Sequence, residues 1–257
     1  MIDKIKAEKE FKKYVAPYDV TNSKIAMKIA HTYRTAEVAK QIAESLNLDK
    51  ENIELAWLIG LLHDVGRFEQ LRIYDTFNDR ESIDHADFGA KLLYEDGLIK
   101  QFISDRKYDD LIYKAIKNHN KFDIEEGLNE EELLHAKIIR DADKTDIYEV
   151  HVKDIEEKNA VLYHEEKIKT EVASEAVLQS FLAHHSVNKK DVKNEIDNFL
   201  VAISFIYNYY FKKGLEIIKE KQYLPRMFQL IEGCEETKAQ TELIEKTALE
   251  YLEERLK

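Results

Sequence analysis

Apolar residues recur at helical spacing through almost every stretch of this chain. Segments Lys24–Leu46, Asn52–Phe68, Asp84–Tyr94, Tyr108–Asn120 and Glu131–Val150 each set hydrophobic side chains three and four residues apart. Polar connections containing "NLDKEN", "YDTFNDRES" and "EEGLN" separate them. The pattern predicts further helices at Glu165–His184, Lys190–Lys213 and Glu235–Lys257, and no strand signal of comparable strength accompanies them. Only 7 Gly and 2 Pro are spread over 257 residues, too few for the many tight turns of a sandwich or barrel. The expected fold is therefore all-α. Its helical core occupies roughly residues 20–150, and a C-terminal helical extension, residues 151–257, packs on that core.

Several classes of protein are disfavoured. The single cysteine, Cys234, excludes a disulfide framework and a thiolate metal cluster. The longest apolar run, Phe199 to Phe211, is too short to span a bilayer and is interrupted by Ser204 and Asn208, so it reads as a buried helix. The N-terminus "MIDKIKAEKEFKKYV" mixes acids with its lysines and lacks a small-residue cleavage site, which leaves a reducing cytoplasmic setting as the default. A formal net charge of -12 argues against an extended nucleic-acid surface or an anionic membrane as partner, though not against a small anion held in a locally positive pocket.

The chemistry lies in "LLHDVGRFEQ", Leu61 to Gln70. On one continuous helix Gly60, His63, Asp64 and Arg67 share a stripe, while Leu58, Ile59, Leu61 and Leu62 cover the remaining surface. A helix apolar on its other sides is buried, so the polar stripe points at something inside the protein. A buried carboxylate needs a partner to offset desolvation, and a metal ion is an efficient one.

Four more core-type faces carry the same interruption. His31 lines up with Met27, Thr35, Val38 and Ile42, with Arg34 on the margin; His85 shares a face with Phe88, Gly89 and Leu92. His119 follows Ile112, Ala115 and Ile116 at helical spacing, and "RDADKTD" aligns Ala142, Asp143 and Asp146 with Ile139 and Ile147. That phase turns Asp141 away, toward an exposed side where Arg140 or Lys144 would pair with it. A lone histidine on an apolar face is ordinarily a hydrogen-bonded core residue. Five such faces in one chain form a pattern that this explanation does not cover.

The ordered set resembles the HD-domain superfamily of metal-dependent phosphohydrolases, whose pattern is a histidine, a His-Asp pair, often two further histidines and a later aspartate. The matching residues are His31, His63 with Asp64, His85 in "HADFGA", His119 in "IKNHN" and Asp143 in "DADKTD", within roughly residues 20–150. The resemblance implies an HD-domain-like helical bundle in which His31, His63, Asp64 and Asp143 surround one metal. It further implies a second metal on His85 and His119, with Asp64 bridging. Arg67 stands where some relatives carry lysine.

Mixed nitrogen and oxygen donors without sulfur suit one or two divalent ions of manganese, iron, cobalt, nickel or zinc. The expected reaction is hydrolysis of a phosphomonoester or phosphodiester in a small molecule or nucleotide, with Asp64 and Arg67 as its catalytic residues and metal-activated water as nucleophile. Arg67 either binds phosphate through its fork or pairs with Glu69 or Asp64; Arg34 and Lys144 are further candidates for substrate binding. Asp146 is a candidate to orient a ligand histidine, and Tyr74, Phe77, Asn78 and Arg80 are candidate pocket walls. His135, His151, His164, His184 and His185 fall outside the pattern and read as surface or structural residues. Two rivals stay open: a di-iron oxygenase of the same superfamily, and a non-catalytic metal- or ligand-sensing module. Oligomeric state is not legible.

Overall fold

In the computed structural model the described residues are 2–157, 162, 165–168, 170–229 and 234–257. They are all-α, with no strand among them. The chain divides into two compact units, Met1–Asp143 and Lys144–Lys257.

The first unit contains α1 (Lys4–Val15), α2 (Ser23–Ser45), α3 (Lys50–Leu62), α4 (Val65–Tyr74), α5 (His85–Tyr94), a short α6 (Ile99–Phe102), α7 (Asp109–Asn118) and residues 130–143 of α8 (Glu130–Glu156). Local sequence sets their starts. Asp49 accepts from the Asn52 amide at 2.8 Å, and Asp84 accepts from the Ala86 and Asp87 amides. Before α8, Asn129 and Glu132 each accept from the other's backbone amide at 2.9 Å, a reciprocal box that closes the helix start. The centre of this unit is α3, buried continuously from Leu55 to Leu62. Each large apolar side chain so enclosed contributes about 1.5–3 kcal/mol. α2 lies close against it because Gly60 has no side chain: a Cβ there would stand 2.6 Å from the Ala36 Cα. Phe11 of α1 adds edge-on ring contacts to Tyr33 and Phe68, 5.4 and 6.0 Å between centroids.

The second unit contains residues 144–156 of α8, then α9 (Glu165–Ile168), α10 (Glu175–Leu182), α11 (Glu195–Ser204), α12 (Lys212–Glu220), α13 (Tyr223–Phe228) and α14 (Glu235–Leu256). Its core gathers Phe181, Phe199, Leu200, Ile203, Leu215, Ile218, Ile244 and Leu252. The buried Asp197 is satisfied by the Ser174 amide and hydroxyl and the Lys193 amide.

Three expectations about elements are corrected. The predicted helix Asn52–Phe68 breaks at His63–Asp64, where α3 ends and α4 begins. The predicted Glu165–His184 contains α9 and α10 as separate helices, α10 starting only after Ser174. The predicted Lys190–Lys213 resolves into α11, a 3-10 turn at Phe205–Asn208 and the start of α12. The apolar run from Phe199 accordingly crosses from helix into that turn, and among the described residues no helix is long and apolar enough to cross a membrane.

Candidate metal centre

The break between α3 and α4 allows His63 and Asp64 to serve one site. Neighbours on a continuous helix diverge by about 100°, so a turn is needed to aim both inward. Asp64 occupies the N-cap position of α4, with φ -105 and ψ 15, yet its side chain makes no capping hydrogen bond. A residue type favoured as a cap forgoes that role, and its carboxylate is turned into the site instead.

His31 from α2, His85 from the first position of α5, His119 at the C-terminal cap of α7 and Asp143 from α8 meet this pair. Asp64 Oδ2 lies 3.6 Å from both His31 Nε2 and His63 Nε2. Its other oxygen, Oδ1, lies 3.4 Å from His85 Nε2 and 3.7 Å from His119 Nε2. Asp143 Oδ1 stands 3.1 Å from His31 Nε2 and 3.7 Å from His63 Nε2. The geometry thus consists of two histidine pairs on either side of one carboxylate, with a second carboxylate on the first pair. All six residues named from the sequence pattern come together within the first unit.

The imidazoles are held with Nε2 inward. His63 Nδ1 donates to the Gly60 carbonyl and His119 Nδ1 to the Ile116 carbonyl, both at 2.7 Å, and a carbonyl can only accept. With Nδ1 so engaged, Nε2 is the ring atom that faces the site and would take a cation in exchange for its proton. His85 Nδ1 donates to Asp79 at 2.6 Å, and His31 Nδ1 lies 3.4 Å from the Thr35 hydroxyl. The facing Nε2 atoms approach to 3.3 Å for His31 and His63, and to 3.0 Å for His85 and His119. Four convergent imidazole nitrogens and two carboxylates form a donor set that fits divalent cations.

Charge states agree with that fit. Burial alone would raise the Asp64 carboxyl, but Lys28 and the surrounding histidines outweigh it and hold the group well below the usual range. Asp143 is likewise pushed up by burial and brought well down by His31 and His63. For His85, burial first and the Arg67 charge second lower the imidazole to about 3, against the opposing pull of Asp79 and Asp64. Ionised carboxylates and a neutral imidazole are the forms that bind metal.

Around this centre the loop between α4 and α5 is tied down. Arg67 Nη1 donates to Gln70, to the Phe77 carbonyl and to Asp79 at 2.8, 2.7 and 2.7 Å, and Arg67 Nε lies 3.8 Å from Asp64 Oδ1. Glu69 pairs with Arg72 and Tyr18 instead. The buried Gln70 reaches Asp79, Ser82 and the Ile83 carbonyl. Of the four candidate wall residues Phe77 is partly buried, whereas Tyr74, Asn78 and Arg80 are exposed. α4 and α5 meet backbone to backbone at Gly66, where a Cβ would run into the His85 carbonyl and the Gly89 amide.

Other residues named from the sequence lie as follows. Arg34 is partly buried on α2, one turn past His31. Lys144 belongs to the second unit, where its ammonium donates to the Asn208 carbonyl. Asp146 is buried in that unit's portion of α8. The expectation for Asp141 is corrected: it is fully buried, because α8 presents no exposed side at this level, with Ile138, Ile139, Arg140, Ala142, Lys144 and Thr145 all buried. Arg140 serves the end of α7 and the segment beyond it, donating to the carbonyls of Asn118, Lys121 and Phe122. Among the remaining histidines His135 is buried against Asn52, His151 is partly buried, His184 stacks on Tyr207 and His185 is exposed. His164 lies outside the described residues.

Two contributors carry no clear mark in the sequence. Lys28, one turn before His31, donates to Asp64 Oδ2 at 2.7 Å, and its three-residue spacing from a candidate ligand is the one available signal. Asp79, which orients His85, lies in a polar loop with no periodicity to distinguish it.

Residues 29–148 match the family model of the HD domain. The chain carries an HD domain. That domain defines a superfamily of metal-dependent phosphohydrolases, and the matched residues include all six side chains of the centre. No curated protein and no solved structure matches the chain.

Proposed function

We propose that this HD-domain protein is a phosphohydrolase that cleaves a phosphomonoester or phosphodiester bond of a small molecule or nucleotide at a two-cation centre. The observation that carries the reading is the position of Asp64, each of whose oxygens faces a different histidine pair. His31, His63, Asp64 and Asp143 would hold one cation; His85, His119 and the second oxygen of Asp64 would hold the other. Divalent cations so held supply Lewis acidity toward water and phosphoryl oxygens. Asp64 and Asp143 offset the positive charge, and the carbonyls of Gly60 and Ile116 keep two ligand imidazoles in the required tautomer. Asp79 does the same for His85 while anchoring Arg67, whose guanidinium would meet a phosphoryl oxygen.

A hydrolysis screen tests this. Protein loaded with manganese, iron, cobalt, nickel or zinc is assayed over phosphomonoesters, phosphodiesters and nucleotides, with and without oxygen. Phosphate release that needs metal, ignores oxygen and disappears in Asp64→Ala supports the reading. Turnover that requires iron and dioxygen contradicts it.

A further inference from the structure

Lys28 and Arg67 approach Asp64 from opposite oxygens. Lys28 Nζ is 2.7 Å from Oδ2, and Arg67 Nε is 3.8 Å from Oδ1, too far for a hydrogen bond. Both cations also lean on one ring: Nζ of Lys28 lies 5.5 Å and Cζ of Arg67 5.7 Å from the Phe77 centroid. Their side chains stay 16% and 15% exposed, so solvent and solutes reach them.

Neither cation has its hydrogen-bonding capacity filled. Among the described residues Lys28 has one acceptor, Asp64, which leaves two ammonium protons for another. Arg67 directs Nη1 at the protein, but its Nε is buried with no acceptor and its Nη2 donates to no described residue. A buried guanidinium N–H without a partner is costly, and the Asp64 carboxylate between the two cations is shared with four imidazoles. Lys144, the lysine suggested by the sequence, instead donates to the Asn208 carbonyl.

We propose that Lys28, with the outer edge of Arg67, grips an oxyanion of the substrate phosphoryl group above Phe77. Lys28 is thus a substrate-binding residue and not only a counter-charge for Asp64. The assignment rests on the phosphohydrolase reading above. Lysine contributes a point charge there and arginine a directed N–H edge.

Calorimetric titration of the Mn²⁺-loaded chain with inorganic phosphate tests it, with metal content and melting temperature measured on every sample. Lys28→Met should weaken phosphate binding about tenfold or more while Mn²⁺ per chain and melting temperature hold, and Lys28→Arg, which keeps the charge, should restore most of the affinity. Lys28→Gln takes the place of Lys28→Met should the latter not fold. Phosphate affinity unchanged in the neutral variant overturns the proposal, as does loss of Mn²⁺ together with phosphate, which would make Lys28 a support of the metal site. Wild-type protein that takes up no Mn²⁺ overturns the functional reading itself, an outcome distinct from either.

Discussion

The Nε2 atoms of His85 and His119 face each other at 3.0 Å, and His119 cannot relieve that approach by turning its other nitrogen inward, because Nδ1 donates to the Ile116 carbonyl. The backbone of α7 thus fixes Nε2 of His119 toward the site. A cation between such nitrogens converts an unfavourable approach into a stabilising one.

Removal of the shared carboxylate should therefore affect both histidine pairs. Asp64→Ala is expected to lose most bound metal and at least about a thousandfold in hydrolysis, while the helical circular dichroism spectrum persists. Elemental analysis of the purified variant checks the first part, and metal content equal to wild type would contradict it.

Besides holding Arg67 and Gln70, Asp79 orients one of the six residues of the centre, His85. Asp79→Asn should weaken the second metal equivalent about 10–100-fold and leave the first unchanged. A titration followed by calorimetry separates the two steps. Equal weakening of both steps would mean that the loop supports the whole centre and not one ligand.

At Gly66 the approach of α4 to α5 leaves no room for a methyl group. Gly66→Ala should cost about 1–3 kcal/mol of stability through a forced backbone shift, and the same shift displaces His85, so weaker metal binding should accompany the lower denaturation midpoint.

Burial lowers His135 to about 4 and His151 to about 3 in the folded chain, from an ordinary value of 6.5. Folding favours their neutral forms, so the stability they provide is complete above about pH 6.5 and is lost as pH falls toward those folded values. Denaturant unfolding of chelator-treated protein at pH 7 and pH 5 should show a smaller loss for His135→Asn than for wild type, by up to about 2 kcal/mol. An identical loss in both proteins would show that His135 does not resist protonation.

Helical spacing made the elements carrying His31, His85, His119 and Asp143 legible, since each lies on a face whose other members are mostly apolar. The turn at His63–Asp64 was not legible: the apolar period continues through it, and only the unused cap at Asp64 reveals why the helix must break. Asp141 was misplaced because phase alone assumes one solvent side, whereas α8 is enclosed at that level. Asp79 and Lys28 act through contacts across 6 and 36 residues, to His85 and Asp64, which periodicity does not encode.

The most direct test of the centre is the number of ions it holds. Chelator-stripped protein titrated with Mn²⁺ should bind two equivalents per chain, with phosphoester hydrolysis rising only as the second site fills; saturation at one equivalent, or hydrolysis undiminished in stripped protein, would contradict a two-cation centre built on Asp64.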